Sequence, residues 1–291
     1  MTRGFLVVDK PEGMTSNQVV GRVRRAIGVK KVGHAGTLDP MATGVLVLAV
    51  GKVTRLIRYI QDLPKEYLAT AQFGVATDTL DADGAVLSRE PMDVEPEEVE
   101  AVAERFVGNI RQVPPMVSAL KHEGRRLYEL AREGEVVERE ARPVVIHELE
   151  VFSVGPGPYP EVDFRVVCGK GTYVRSLADD MAAVLGGAAH LTALRRKRIG
   201  SLSVADALDL RELDQWADHL LTPYQALVDM PTVEVAPETA AGVSHGMRFV
   251  GTEMANAPED TPYKVVNGDG KLLAVYRRVG EHARPEVVLS E

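Results

Sequence analysis

The sequence predicts an α+β fold in two parts, a larger one that mixes strands with helices and a small β-rich one at its C-terminal end. Three observations carry this. Apolar runs of strand length recur at residues 5–8, 45–50, 67–75, 144–154 and 162–168. Helical spacing of apolar residues interrupts them at 16–27, 96–108 and 176–185. Beyond Asp229-Met230-Pro231 the texture changes to short strand-like pieces, two of them joined by the turn Asn267-Gly268-Asp269-Gly270.

The chain has 291 residues, 45% of them hydrophobic, enough for one large domain with a small appendage. Its single cysteine, Cys168, excludes an internal disulfide framework and a cysteine-only zinc site. Seven scattered histidines form no ligand spacing, so a metal or cysteine hydrolase is poorly supported and no metal is expected. No apolar run reaches membrane-spanning length, and the expected setting is the cytoplasm, without a membrane partner. A formal charge of −8 argues against a nucleic-acid partner until its distribution is read. Residues 1–60 carry +7, ten basic against three acidic, whereas residues 78–104 carry −9 and residues 201–291 carry −8. A polyanion could be held by the N-terminal segment together with Arg195-Arg196-Lys197-Arg198, if these meet in space. Solvated helix faces are the bland alternative.

In chain order, residues 5–8 read as a buried strand ending in the turn Asp9-Lys10-Pro11-Glu12-Gly13. Thr15 or Ser16 caps the next helix, Val19, Val20, Val23, Ala26 and Ile27 make its apolar face, and Gly28 suits its stop. Arg22, Arg24 and Arg25 lie largely off that face. The chain is organised around residues 34–50, HAGTLDPMATGVLVLAV, where a polar loop holding one acid, Asp39, runs into an apolar strand. A carboxylate can stand there at the edge of a rigid sheet. Pro40 pushes Asp39 out of the helical region, and Gly36 and Gly44 permit the backbone to approach a ligand closely. An ordinary Asp-Pro turn remains the alternative. The run at 45–50 is continuous, as in a strand covered on both faces.

Lys65-Glu66-Tyr67 opens the strand at 67–75, followed by an acidic loop at 77–84 and a surface helix at 96–108 with glutamates near its start. Val113-Pro114-Pro115 then breaks the chain before a basic excursion carrying Lys121, Arg125, Arg126, Tyr128 and Arg132, with a short amphipathic helix ended by Gly134. Its few apolar residues predict shallow burial and ordering on a partner. Cys168 ends a strand among apolar neighbours and reads as an inert thiol. Gly169-Lys170-Gly171-Thr172-Tyr173-Val174-Arg175 is a glycine turn opening a helix, which sets Tyr173 and Arg175 beside a second sheet edge. Arg175 there can pair with a buried carboxylate, or make a surface ion pair. Leu194 is the apolar residue that precedes the basic run.

Four segments in order resemble the TruB family of tRNA pseudouridine synthases: Asp9-Lys10-Pro11-Glu12-Gly13-Met14-Thr15-Ser16, His34 to Gly44, Lys65-Glu66-Tyr67 and Gly171-Thr172-Tyr173-Val174-Arg175. The resemblance covers roughly residues 4–228. It implies a mixed or antiparallel sheet of the pseudouridine synthase fold over residues 1–228, an RNA-clamping thumb at about 113–142, and a PUA-like C-terminal domain at 229–291. It also implies isomerisation of uridine 55 in the T loop of tRNA, by a monomer that needs no cofactor or metal. On the same resemblance Asp39 is the catalytic aspartate, Tyr67 the ring that stacks on the target uracil, and Arg175 the partner of the aspartate. Tyr173 and Leu194 become pocket walls, Lys10 a support of the active-site loop, and His34 a filler of the space left by everted nucleotides.

That chemistry asks for an ionised carboxylate facing the sugar C1′ or uracil C6, and Arg175 is expected to lower the pKa of Asp39. A base flipped out of a folded loop must recover its stacking, which Tyr67 offers. Arg195 and Arg196 are expected to hold phosphates. Two other readings stay open, an RNA-binding or tRNA-folding helper and a same-family synthase acting on other RNAs.

Overall fold

Side-chain alternation in the run at 45–50 sends Val45, Val47 and Ala49 into one core and Leu46, Leu48 and Val50 into another. In the computed structural model, which describes residues 2–118, 120–135, 137–250, 254 and 256–289, this run lies inside a ten-stranded mixed sheet. Its elements are β1 (Gly4–Lys10), α1 (Ser16–Ile27), β2 (Val32–His34), β3 (Thr43–Val50), α2 (Ile57–Gln61), β4 (Lys65–Phe73), α3 (Pro96–Arg105), β5 (Gly108–Gln112), β6 (Arg142–Val154), β7 (Glu161–Cys168), α4 (Val174–Val184), β8 (Ala189–Ile199) and β9 (Leu208–Asp209). The strands run in the order β9-β1-β3-β8-β4-β7-β6-β5, with β2 paired to β3 and Leu202–Ser203 to β8. β9 is parallel to β1 and β8 to β3, and the other pairs are antiparallel.

Local sequence explains most of these elements. Thr15 and Gln18 form a reciprocal capping box at the start of α1, and Gly28 closes it in the left-handed conformation. Val19, Val20 and Val23 pack on Leu6, Val8 and Leu46, leaving Arg22, Arg24 and Arg25 exposed; Ala26 is also exposed. Two strands depart from the expected pattern. β5 is too polar to read as a strand, and β8 contains the basic run that the sequence offers as a polyanion-holding segment or a solvated helix face. Bulges between Leu191 and Ala193 and between Arg196 and Arg198 break the alternation that would have marked β8.

The excursion at 113–142 is better packed than its composition predicts. Residues 119 and 136 and the side chains of Lys121 and Arg132 lie outside the described residues. Leu127 and Leu130 of its short helix, Leu127–Arg132, are buried, and Arg139 donates to the Pro114 carbonyl at 2.9 Å.

The C-terminal part holds β10 (Thr232–Glu234), α5 (Pro237–Ser244), β11 (Phe249–Val250), β12 (Pro262–Val266), β13 (Leu272–Val279) and β14 (His282–Val288), in the sheet order β10-β12-β13-β14-β11. The turn at 267–270 joins β12 to β13 as expected, whereas α5 falls where the sequence predicts only short strands. This sheet has its own aromatic core around Tyr263 and Tyr276. Its Val266, Leu272, Val275 and Val287 share a second cluster with Phe5, Val53 and Tyr59 of the larger part. Glu286 accepts from the Tyr59 hydroxyl at 2.7 Å and pairs with Arg58 and Arg277, so part of the acidic charge of this segment is spent on seating it. Among the described residues no helix is long and apolar enough to cross a membrane.

Candidate active site

The sheet brings three polar side chains and one glycine into one lateral row. Lys10 of β1 pairs with Gly44 of β3, Gly44 with Arg196 of β8, and Arg196 with Tyr67 of β4. Asp39 stands above this row, in the loop between β2 and β3, and its neighbours hold nearly every carbonyl around it. Arg196 donates from Nη2 to Gly36 O (3.2 Å), from Nη1 to Thr37 O (3.3 Å) and from Nε to Val45 O (2.7 Å). Ser16 Oγ accepts from Leu38 N at 2.9 Å and lies 3.2 Å from Leu38 O. The Lys10 ammonium donates to the carbonyls of Pro11, Met14 and Pro40. With the backbone held on all sides, the Asp39 side chain is the group left to meet a ligand.

Gly44 makes this row possible, for a reason other than ligand approach. A Cβ added there would meet the Arg196 carbonyl at 2.1 Å, and its φ of +100° disfavours any L side chain. Gly44→Ala is expected to cost more than about 3 kcal/mol, read as a lower denaturant midpoint, because β3 and β8 must separate to admit the methyl group.

Arg175, 2% exposed near the start of α4, is the hub on the other side. Its Nε lies 3.0 Å from Asp39 Oδ2 and its Nη1 3.1 Å from Asp81 Oδ2. Nη1 also donates to Thr79 O (2.6 Å) and Nη2 to Val117 O (2.8 Å), so one guanidinium ties together the Asp39 loop, the acidic loop and the root of the excursion. Gln112 of β5 exchanges two hydrogen bonds with the backbone of Tyr173 and sets where α4 begins. The expected pKa of Asp39 needs correction. Burial pushes it above the ordinary carboxylate value, Arg175 pulls it back and Asp81 pushes it up again, so the net shift is upward.

These groups surround a cavity of about 640 Å³. Asp39, Tyr67, Tyr173, Arg175, Leu194 and Arg196 all line it, as does Lys65, two residues before Tyr67 on the same face of β4. Tyr67 is half-buried, and burial raises its pKa against the opposing charge of Arg196, so its hydroxyl stays protonated. Lys10 lies beneath the cavity rather than on its wall, 0% exposed, with burial pushing its pKa down to about 8. His34 is not among the lining residues; its pKa is lowered by burial and by Arg196.

The expected phosphate-holding run at Arg195 and Arg196 takes a different form. Arg196 is 2% exposed and occupied with loop carbonyls, while Arg195 forms a two-point pair with Asp9 (2.6 and 3.2 Å) beside a separate groove. Strand geometry sends neighbouring side chains to opposite faces, so the run is not one basic surface. Arg22, Arg24 and Arg25 of α1 are exposed, and Arg24 donates to the Val32 carbonyl at 2.8 Å. Ser16, Lys65, Asp81 and Gln112 were not picked out as site residues from sequence. Only Lys65 left a usable signal, its shared face with Tyr67.

Residues 24–174 match the family model described as TruB family pseudouridylate synthase, N-terminal domain. A protein of Arthrobacter sp. named tRNA pseudouridine synthase B is 42% identical over 100% of this chain and 97% of its own length. The protein of the same name from Symbiobacterium thermophilum is 51% identical over 84% of this chain and 82% of its own. Among solved structures, a chain of a Cbf5-Nop10-Gar1 complex superposes with a TM-score of 0.77 at 25% identity, covering 98% of this chain and 84% of that one. The chain belongs to the TruB family of pseudouridylate synthases.

Proposed function

We propose that this protein isomerises uridine 55 of the tRNA T loop to pseudouridine, as a cytoplasmic monomer. The observation that carries the reading is Asp39, held by its loop at the wall of a cavity that also presents Tyr67 and is closed by Arg175. Relatives named tRNA pseudouridine synthase B, alike over the full chain, support the substrate. The reaction keeps every atom of the nucleotide, so it calls for no group-transfer or redox cofactor. The uridine leaves its stack and its base lies on the Tyr67 ring, which recovers about 1–3 kcal/mol of stacking. Asp39 meets the electron-poor C1′ as the N1 bond breaks. Tyr173 and Leu194 confine the freed base while it turns, and Lys10 and Arg196 hold the loop. Residues 1–228 form the catalytic domain, about 113–142 its RNA-clamping thumb, and 229–291 a PUA-like domain.

Purified protein incubated alone with a T-arm transcript tests this reading, with pseudouridine mapped chemically along the RNA. Conversion at the single T-loop uridine is expected. An RNA left unmodified, or modified throughout its uridines, would count against it.

A further inference from the structure

The cavity is electrically polar in a way that the roles above do not use. The charges acting on Asp39 are Arg175, Asp81 and Lys10. Around Tyr67, β4 and β8 bring in a second group that does not act on Asp39: Lys65 two residues before Tyr67 on β4, and Arg196 opposite Tyr67 on β8. Arg196 Cζ lies 6.0 Å from the Tyr67 ring centre and its Nη1 3.4 Å from the Tyr67 hydroxyl. Lys65, 7% exposed, donates to the Gln61 carbonyl, which uses one of its three N–H groups. Among the described residues neither cation forms an ion pair. Of the two acidic groups acting on Lys65, the Cys168 thiol is held neutral by burial, its pKa raised to about 11, and Asp62 is itself paired with Lys170 at 2.6 Å. Burying two cations without counter-anions costs several kcal/mol, a cost that a ligand bringing negative charge would remove.

Resting on the function proposed above, we infer that Lys65 is a catalytic residue and that, with Arg196, it holds the negative charge developing on the uracil ring. When N1–C1′ breaks, the bonding pair leaves with N1, so the base departs as a uracil monoanion while the Asp39 carboxylate takes the sugar carbon. C5 of the turned anion then attacks C1′, and the carboxylate leaves with the pair it brought. Transfer of a proton from C5 to N1 completes the product, with nothing gained or lost. The polarity of the cavity matches this separation, with the carboxylate at the sugar and the cations at the base.

Single-turnover rates on the T-arm RNA at saturating enzyme, with RNA affinity measured separately, test the assignment. Lys65→Met is expected to lower the rate about 100-fold, the scale of one lost electrostatic donor, with affinity within about threefold of wild type. Lys65→Arg is expected to restore most of it. The groups facing Lys65 are Arg196 on β8, Cys168 on β7, and Asp62 and Lys170 in the adjoining loops; burial first, then Arg196, pushes its pKa down to about 8. The wild-type rate should therefore fall above pH 8 relative to the Lys65→Arg rate. Lys10, also near 8, titrates in both proteins and cancels in that ratio. A Lys65→Met rate equal to wild type, equal losses in Lys65→Met and Lys65→Arg, or a loss confined to affinity would each overturn the assignment. Should circular dichroism show Lys65→Met unfolded, Lys65→Gln, which keeps a donor for the Gln61 carbonyl, carries the same comparison. A wild-type protein that makes no pseudouridine would instead overturn the function on which the assignment rests.

Discussion

Asp39→Asn is expected to abolish pseudouridine formation, by at least about 1,000-fold in single-turnover rate, while leaving the fold and the affinity for T-arm RNA nearly unchanged. The amide keeps the shape of the carboxylate, but it cannot bear the charge that an electron-poor sugar carbon requires. Affinity survives because phosphate contacts come from other surfaces, the exposed arginines of α1 among them. Stability should move the other way from activity. Burial raises the Asp39 pKa against the opposing pull of Arg175, so the folded state disfavours the charged form relative to the unfolded chain. At neutral pH the wild-type carboxylate is therefore a net liability to stability, and the asparagine variant should melt at or above the wild-type temperature. The same shift places the acid limb of wild-type activity above the ordinary carboxylate range, because the rate falls as Asp39 protonates. A pH profile of the single-turnover rate reads that limb directly, and a limb at or below the ordinary range would contradict it.

Arg175→Met is expected to damage both stability and activity. Arg175 stands between Asp39 and Asp81 and satisfies the carbonyls of Thr79 and Val117. Methionine fills much of the space, but it leaves two carboxylates facing each other without the guanidinium that paired them both, and two carbonyls without that donor. Breaking a buried pair in this way costs about 3–5 kcal/mol, or a fall in melting temperature on the order of 10 °C for a domain of this size. The acid limb of the activity profile should also move to higher pH, since the larger of the two charges that lower the Asp39 pKa is gone and only Lys10 is left to oppose burial and Asp81. Lysine is no substitute, because one ammonium cannot reach partners spread over three segments. If like-charge repulsion is the cause, Asp81→Asn added to Arg175→Met should recover part of the lost melting temperature. A lone Arg175→Met with wild-type stability and pH profile would show that the guanidinium is an ordinary surface cation.

Much of this site was legible because its signals are local. The Asp39-Pro40 turn running into an apolar strand marks a rigid sheet edge, and the alternation in β3 follows from an unbroken apolar run. The Thr15 capping box lies within four residues, and the C-terminal hairpin is written in its turn. What stayed hidden depends on partners far along the chain. Arg196 is buried because loop carbonyls 151 to 160 residues away accept its hydrogens, so a run that looks solvated is a central strand. Asp81 lies in an acidic loop with nothing to set it apart until Arg175 is folded onto it. Thr15 and Ser16 read equally as the helix cap; Thr15 does the capping, and nothing local shows that Ser16 is left free to pin Leu38. The sign of the Asp39 shift was also out of reach, since a partner arginine can be guessed from sequence but the depth of burial that outweighs it cannot.

The most direct measurement is a structure of the Asp39→Asn protein bound to T-arm RNA. The target uridine is expected out of its loop, its base on the Tyr67 ring between that ring and Leu194, and its C1′ in contact with the side chain at position 39. A uridine still stacked within the loop, or a different nucleotide in the cavity with C1′ remote from position 39, would contradict it.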